Sequence, residues 1–506
     1  MKANSTTASP STSVGYVVTR GIFWLSANTV AAKLVSIVGQ VILSWLLLPE
    51  EFGSIGLAYT VLAFTSLIQQ AGLNEILVQR GKHFRRWANP AFWMSLALGV
   101  LAAAVTLAAA PIAARIYHDP RVIPLLVVLA FTLPVTALSA VPTARIQQQM
   151  QFRYIALTNA WTNTAIMALT IVFAYAGMGA MSVVLPRLLV GVAQAGVLWQ
   201  KVLPPVRLHP QLRRWRFLVG DSGRMLVASL CYAIVAQGDY ITLGLLFSKE
   251  IVGLYYWGFN LATQTIVLLT VNIGGVLLPA LTRLSADRTQ QLNGFLRATR
   301  ALAVVGMPLS VLQAALADPG IRLLFAPRWY AAIPVVQILS LGMTMTMVGS
   351  PGVNFLQSQG RFRTVMVMAI GCAASLVGLV LVGARWGQML GVACGVGIFH
   401  AVYGPVCMYV AVRAGGGSIR DVVRVYLPPM VATLVAVGIG YLLSTLLPEI
   451  PLRKWAFIAV TTTITAVIYI PMIRWLAPDG WGELSAQLGR LFRSMRPSRS
   501  APATPL

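Results

Sequence analysis

The sequence predicts an all-α fold, a polytopic integral membrane protein of about fourteen transmembrane helices. Of the 506 residues, 57% are hydrophobic and only 10% are charged, whereas a soluble domain carries roughly 25% charged residues. Apolar runs of about twenty residues recur along the chain, and each can cross the ~30 Å hydrocarbon core at about 1.5 Å per residue. Basic residues cluster between these runs, as expected for loops at one face of a membrane. Lipid is therefore the predicted solvent for most of the protein.

Hydropathy places fourteen spans, each bounded to within a few residues. The predicted spans are 21–47, 53–78, 90–111, 122–143, 155–176, 179–200, 225–247, 252–278, 299–317, 331–356, 364–384, 388–412, 426–447 and 455–475. The fourth contains three prolines, which membrane helices tolerate as kinks where neighbours satisfy the freed backbone groups. The longest connections are short and basic, so the pattern leaves no room for a soluble domain.

The distribution of Lys and Arg predicts that both termini are cytoplasmic. Of the 38 basic residues, 28 lie at the tails and at junctions on one side, 8 lie on the other, and Lys33 and Arg187 fall inside spans. The positive-inside rule assigns the richer side to the cytoplasm. Although the net charge is +25, its spread over short inter-span clusters argues against a nucleic-acid partner. The four cysteines lack metal-ligand or redox spacing, and we expect small buried hydrophobes there.

The chain contains a weak internal repeat. Glu50-Glu51-Phe52-Gly53 after the first span matches Glu250-Ile251-Val252-Gly253 after the seventh, and residues 72–80 match residues 275–283. Offsets of 200 to 203 residues suggest two six-helix units in parallel orientation, an arrangement found in transporters that rock two lobes about a midplane site. The predicted divisions are a disordered cytoplasmic tail 1–19, an N-terminal lobe 20–200, a basic cytoplasmic linker 201–224, a C-terminal lobe 225–412, two additional helices 413–475 and a basic cytoplasmic tail 476–506.

Short motifs along residues 15–365 carry a resemblance to a known family. They are LLPEEFGSIGLAYT (47–60), GLNEILVQR (72–80), AARIYHDP (113–120), QQQMQFRYIAL (147–157), GDYITLGLLFSKEIVGLYYWGFNLA (238–262), GGVLLPALTRLSAD (274–287), FAPRWYAAIPVVQILSLG (325–342) and QSQGRFR (357–363). The chain resembles the polysaccharide-transport (Wzx-type) flippases of the multidrug/oligosaccharidyl-lipid/polysaccharide exporter superfamily, nearest to the colanic-acid-type branch. Beyond residue 365 only hydropathy matches.

The resemblance implies a function in the bacterial inner membrane. A family member moves undecaprenyl-pyrophosphate-linked oligosaccharide repeat units from the cytoplasmic to the periplasmic leaflet, for exopolysaccharide or lipopolysaccharide synthesis. The expected partners are this lipid-linked substrate, membrane lipids, and the polysaccharide polymerase and export machinery. The sequence has no Gly-rich phosphate loop, so we expect no cofactor, and H⁺, Na⁺ or the membrane potential remain as sources of coupling.

Lys33 is the most informative polar residue inside a span. A charge at a helix centre costs ~2.5–3.5 kcal/mol, so it should face a cavity or a partner. With Ser26, Thr29, Ser36 and Gln40 it forms a stripe within about 80° of one helix face. Two interpretations stay open: Lys33 attracts a pyrophosphate or an acidic sugar, or it belongs to a buried ion pair that orders the bundle.

Asp239, in a polar stretch with Gln237, is the natural counterpart in the seventh span. It can carry a coupling ion, neutralise Lys33, or lie at an interface without a special role. We predict that Lys33 and Asp239 face one central cavity between the lobes. Other candidate cavity residues are Asn74, Glu75, Asn260 and Gln264, whose side chains can bind sugar hydroxyls or form interhelical hydrogen bonds.

Basic residues at helix ends have two open interpretations. Arg80, Arg145 and Arg283 can form an entrance for the pyrophosphate headgroup, or they can simply set topology and attract anionic lipid. Arg187 can snorkel to an interface or line the cavity. His400 is isolated and is interpreted as a packed or interfacial histidine.

Three alternatives to an oligosaccharide flippase are a polysaccharide polymerase, an exporter of another substrate and a scaffold. A membrane polymerase for the same polysaccharide should carry a large periplasmic loop with catalytic residues, and the chain has none; it also has no metal-ligand cluster and no nucleophile elbow. An exporter of drugs or of a peptidoglycan precursor belongs to the same superfamily, but a drug site should be richer in acidic and aromatic groups. A scaffold would leave Lys33 and Asp239 without a role. The sequence therefore predicts a transporter and not an enzyme.

Overall fold

A computed structural model gives the architecture of most of the chain. It describes residues 32–33, 35–69, 84–149, 151–202, 222–266, 287–447, 453–478 and 480–482, together with a few single positions between 215 and 284. Within these ranges every regular element is helical, and ten helices are long and apolar enough to cross a membrane. The predicted all-α, polytopic fold is confirmed.

The helices follow one another with short connections. The first eight are α1 Val35–Leu46, α2 Pro49–Ser66, α3 Phe84–Ile116, α4 Val122–Gln148, α5 Phe152–Tyr175, α6 Met181–Lys201, α7 Ser222–Leu246 and α8 Lys249–Ala262. The rest are α9 Arg288–Leu324, a 3₁₀ helix Pro327–Ala332, α10 Ile333–Gly349, α11 Pro351–Ser358, α12 Phe362–Ala414, α13 Ile419–Thr445 and α14 Arg453–Leu476. Parts of the predicted first, second and eighth spans lie outside the described residues.

The clearest differences from the predicted spans are at the ninth to the twelfth. The tenth, 331–356, is divided among the 3₁₀ helix, α10 and α11. α12 contains both the eleventh and the twelfth spans, and its backbone breaks at Gly387 and Gln388, where φ is −146° and 49°. The two parts then pack closely, because a Cβ at Gly383 would lie 2.1 Å from the carbonyl oxygen of Gly391. α9 begins at Arg288, eleven residues before the predicted ninth span, because polar residues extend its first turns beyond the apolar run.

The helices group into two compact units. The first comprises Met1–Gln264, Leu324–Val336 and Met366–Val396, and the second comprises Thr265–Leu323, Gln337–Val365 and Gly397–Leu506. This grouping combines segments from both halves of the sequence, and the boundaries of the predicted lobes stay a prediction.

In the first unit, α3 packs on α4 through small and aromatic side chains. Ala88, Ala91 and Ala144 are fully buried beside Phe92, and Trp199 of α6 donates its indole N–H to the Leu138 carbonyl at 2.9 Å. Alanine allows close approach of helices in a membrane, where lipid is as apolar as leucine and packing has to drive association. These contacts hold α3, α4 and α6 as one group.

In the second unit, glycines bring α10 and the second part of α12 into backbone contact. A Cβ at Gly342 would lie 2.4 Å from the Gly397 carbonyl oxygen, and one at Gly349 would lie 2.0 Å from that of Gly404. The two contacts are two helical turns apart on both helices, so the helices stay close along one seam. The Tyr469 hydroxyl of α14 donates to the Val304 carbonyl of α9 at 2.6 Å.

Candidate functional site

The starts of α2 and α8 cross at two glycines in the first unit, a contact called here the glycine crossing. A Cβ at Gly53 would lie 2.2 Å from the Lys249 carbonyl oxygen, and one at Gly253 would lie 1.7 Å from that of Pro49. Neither position has room for a side chain. Position 53 meets position 249, and position 253 meets position 49. Shifting each residue number by 200 exchanges the two contacts, so the crossing has local pseudo-two-fold symmetry that follows the offset of the repeat. This local symmetry agrees with the predicted repeat, which stays a prediction.

An ion pair closes the same end of these helices. Lys249 Nζ lies 2.9 Å from Asp119 Oδ1, and the Asp119 side chain is fully buried. The Ser54 hydroxyl and the Arg121 amide also donate to this carboxylate. Burial tends to raise the pKa of Asp119, but the hydrogen bonds from Ser54, Lys249 and Arg121 and the charge of Lys249 together lower that pKa below its ordinary value. The connection between α3 and α4 is thereby joined to both α2 and α8.

Tryptophans fix α1 and the 3₁₀ helix to the glycine crossing. The indole of Trp329 is fully buried and donates to the Ser44 carbonyl at 2.8 Å. Its ring stacks on Trp257 of α8 at 4.9 Å and meets Phe52 of α2 edge-on at 5.2 Å. Arg328 donates to the Trp45 carbonyl at 2.8 Å. The Trp329 and Arg328 donors are thus paired, whereas the buried indole N–H of Trp257 has no partner among the described residues.

Farther along the same helices is a set of polar side chains, called here the polar layer. Its members are Lys33, Thr60, Gln237, Asp239, Asn260 and Gln264. Thr60 is eleven residues beyond the start of α2, or about 16 Å at the helical rise, which is near the middle of a ~30 Å hydrocarbon core. Its hydroxyl contacts the Gln237 side-chain oxygen of α7 at 3.1 Å.

Asp239 is buried, with 2% of its surface exposed. One carboxylate oxygen accepts a hydrogen bond from the Tyr255 hydroxyl of α8 at 2.7 Å, and the other accepts one from the Tyr240 amide at 2.9 Å. Tyr240 also meets Tyr255 edge-on at 5.6 Å. The carboxyl group thus links α7 to α8 through neutral donors.

Lys33 donates a hydrogen bond to the Gln264 side-chain oxygen at 2.8 Å. Lys33 and Asp239 form no ion pair, so the structure holds the two charges on separate partners; Tyr255 already occupies one oxygen of Asp239. Asn260 donates to the Tyr256 carbonyl of its own helix at 2.8 Å. The buried Gln40 side-chain oxygen has no partner among the described residues.

The other predicted residues lie either outside the described residues or away from this layer. Asn74, Glu75, Arg80 and Arg283 lie outside the described residues. Arg145 ends α4, with its guanidinium 5.0 Å from the Phe84 ring centroid and in hydrogen-bond contact with Gln148. In the second unit, a ring nitrogen of His400 contacts the Thr346 hydroxyl at 3.1 Å, which fits the interpretation of a packed histidine.

Sequence reasoning missed Asp119, Ser54 and Lys249. All three lie in segments that were compared with the family, 47–60, 113–120 and 238–262, but hydropathy treats them as loop or helix-end residues. The scarcity of acidic residues is the available signal, because only 13 Asp and Glu occur in the chain. Among the described residues no three His, Cys, Asp or Glu side chains are grouped so as to hold a metal ion.

A bundle of apolar helices with a repeat-related crossing and a polar layer within the membrane defines a membrane transporter. The chain belongs to the family described as polysaccharide biosynthesis protein, which matches residues 42–334.

Two curated relatives extend over most of the chain. The succinoglycan biosynthesis transport protein ExoT of Rhizobium meliloti is 24% identical, covering 90% of this chain and 92% of its own. The lipopolysaccharide biosynthesis protein WzxC of Escherichia coli is 19% identical, covering 84% and 87%. The predicted resemblance to this family is confirmed.

Solved structures show the same fold. The lipid II flippase MurJ in an inward closed conformation superposes with a TM-score of 0.72 at 13% identity, covering 90% of this chain and 99% of its own. An inward-facing MATE family multidrug transporter gives 0.63 at 14% identity, covering 76% and 94%. These structures show the fold, and the relatives named for transport agree with the prediction of a transporter and not an enzyme.

Proposed function

We propose that the protein flips polyprenyl-pyrophosphate-linked oligosaccharide repeat units from the cytoplasmic to the periplasmic leaflet of the bacterial inner membrane. The product would feed exopolysaccharide or lipopolysaccharide synthesis. Both termini are then cytoplasmic, and the glycine crossing is at the periplasmic end. Relatives named for polysaccharide transport and lipopolysaccharide biosynthesis support this assignment.

One observation carries the proposal: Lys33 is a cation within a membrane segment whose described partner is a neutral amide. A compensated ion pair would suit a structural role, because the second charge lowers the cost of the first. A lysine held by a glutamine keeps its positive charge available to an anionic headgroup. Gln237 and Asn260 add amide groups of the kind that bind sugar hydroxyls.

Transport by alternating access fits the repeat-related helices. The glycine crossing and the Lys249–Asp119 pair hold the periplasmic ends of α2 and α8 together. Release of the substrate to the periplasm requires these helix ends to separate. The membrane potential, negative inside, favours outward movement of an anion by ~2.3 kcal/mol per charge per 100 mV. The potential can therefore drive part of the cycle, and H⁺ or Na⁺ at Asp239 is the other proposed source of coupling.

Reconstitution tests the function. Full-length protein in liposomes containing a polyprenyl-pyrophosphate oligosaccharide should move the substrate between leaflets, measured by its exposure to a membrane-impermeant glycosidase. Lys33→Ala should reduce the rate at least about tenfold, the scale of losing one charged hydrogen bond. Lys454→Ala, at the exposed start of α14, is the matched control and should flip normally. In cells, Lys33→Ala should stop polymer production at unchanged protein abundance.

Two outcomes would contradict the proposal. Wild-type protein that moves no lipid-linked oligosaccharide would remove the function itself. A fall in abundance that matches the fall in activity of Lys33→Ala would make Lys33 structural. A peptidoglycan precursor carries the same polyprenyl-pyrophosphate group, and the fold shared with MurJ keeps it as the second candidate; faster flipping of that precursor would favour it.

A further inference from the structure

Arg187 is a second cation inside a membrane span, and the described residues give it no acidic partner. It lies on α6, and its guanidinium carbon is 4.8 Å from the centroid of the Tyr59 ring on α2. The ion pairs among the described residues do not include it. A guanidinium has five N–H donors, and an aromatic face occupies none of them in a strong hydrogen bond.

The depth of Arg187 matches that of Tyr59. Near the starts of the two helices, a Cβ at Gly179 would lie 2.4 Å from a carboxylate oxygen of Glu51, so these two residues are level with each other. Arg187 follows Gly179 by eight residues, and Tyr59 follows Glu51 by eight residues. Both side chains are therefore about 12 Å from that contact along the helix axis, which is well inside the hydrocarbon core. At this depth the Arg187 side chain is too far from the membrane surface for snorkelling to explain its position.

The Tyr59 hydroxyl is buried and has no hydrogen-bond partner among the described residues. A buried unpaired hydroxyl costs free energy, and its presence next to a cation needs an explanation. Tyr256, on the repeat-related helix α8, is close enough to Arg187 and Tyr59 to interact electrostatically with both. It also packs on α2, because a Cβ at Gly56 would lie 2.8 Å from its ring.

We propose that Arg187 and Tyr59 form a phosphate-binding site that is completed only when α2 and α8 separate. The exposed guanidinium supplies paired donors suited to a phosphate group, and Tyr59 positions it in the closed state. Separation of the helices frees the Tyr59 hydroxyl to donate to the same phosphate. The site therefore binds its ligand more tightly in the open state, and such differential affinity is what shifts a conformational equilibrium.

This inference rests on the proposed function and adds a receiving site to it, distinct from Lys33. Lys33 lies two residues before α1 and bonds to Gln264, whereas Arg187 is on α6 and lies against Tyr59 of α2. A pyrophosphate entering at Lys33 can pass to Arg187 as the crossing opens.

Tyr59→Phe is the most selective test, because it removes only a hydroxyl that has no partner in the closed state. Its thermal stability in detergent should equal or exceed that of the wild type, while flipping in proteoliposomes should fall roughly tenfold. Arg187→Ala should fall further, and Arg187→Lys should stay low because an ammonium lacks the paired donors. On the same helix, Lys201 lies 5.4 Å from the Tyr154 ring centroid; Lys201→Ala and Tyr154→Phe are the matched controls and should flip normally.

The source of the phosphate is tested by binding. Undecaprenyl pyrophosphate added to purified full-length protein should bind at least about tenfold more weakly to Arg187→Ala, and excess phosphatidylglycerol should not displace it from the wild type. Displacement by phosphatidylglycerol would assign the site to bulk lipid and overturn the proposal. Normal flipping by Tyr59→Phe would also overturn it while leaving the flippase function intact, since that depends on wild-type flipping and on Lys33.

Discussion

The two ends of the α2–α8 pair differ in how their polar groups are satisfied. At the glycine crossing the backbones touch, and the buried Asp119 accepts hydrogen bonds from Ser54, Lys249 and the Arg121 amide. In the polar layer Lys33 has an amide partner, and on α1 the side-chain oxygen of Gln40 has no partner among the described residues. Charge is compensated where the helices close and left uncompensated where a substrate would lie, so the same pair combines a closing contact with a binding surface.

The largest effect should come from filling the crossing. In Gly253→Ala the new methyl carbon would meet the Pro49 carbonyl oxygen at 1.7 Å, so α2 and α8 must move apart. Overpacking of this kind costs typically 1–3 kcal/mol, and we expect a lower melting temperature and loss of flipping. Gly438→Ala on α13 is the control, because nothing lies within 4 Å of its Cβ position. Equal behaviour of the two variants would show that the crossing is not tight.

Asp119→Asn should have the next largest effect, through the closing ion pair. The pKa of Asp119 is lowered in the folded protein, so its ionised form stabilises the fold above the unfolded pKa of about 3.9. That stability is lost as pH falls through the lower folded value. The wild type should therefore lose thermal stability as the pH falls below about 4, and Asp119→Asn should be less stable at pH 7 with a weaker dependence on acid. An unchanged acid profile in Asp119→Asn would contradict this assignment.

Gln40→Leu should have the smallest effect. Removing a buried amide whose oxygen has no described partner takes away a desolvation cost, so stability should stay equal or rise by up to about 1 kcal/mol. If the polar layer binds sugar hydroxyls at this position, flipping should fall a few-fold without a loss of stability. A clear loss of melting temperature would instead show that Gln40 holds the bundle together.

The membrane helices could be predicted from the sequence, whereas the hydrogen-bond and ion-pair partners of the polar side chains could not. The apolar run at 179–200 became Met181–Lys201, because hydrocarbon thickness fixes the length of such a helix. The sequence matched Gly53 and Gly253 only as equivalent positions of the repeat, and the structure adds that neither position has room for a side chain. The Asp119–Lys249 pair joins residues 130 positions apart in the sequence, and a local sequence pattern cannot predict a contact between such distant residues. Asp239 was predicted as a counterpart of Lys33. In the structure its carboxylate instead accepts a hydrogen bond from the hydroxyl of Tyr255, sixteen residues farther along the chain.

In the proposed transport cycle the glycine crossing opens while the polar layer holds the substrate headgroup. Asp119→Cys and Lys249→Cys, in a protein whose four native cysteines are replaced by alanine, place one thiol on each side of the closing contact. A flexible bis-methanethiosulfonate reagent can react first at position 249, where the Lys249 side chain is 31% exposed, and then reach the adjacent buried position 119 from that side. Flipping in proteoliposomes should stop on cross-linking and return on reduction, while undecaprenyl pyrophosphate still binds. Undiminished flipping by the fully cross-linked protein would show that transport does not require the crossing to open.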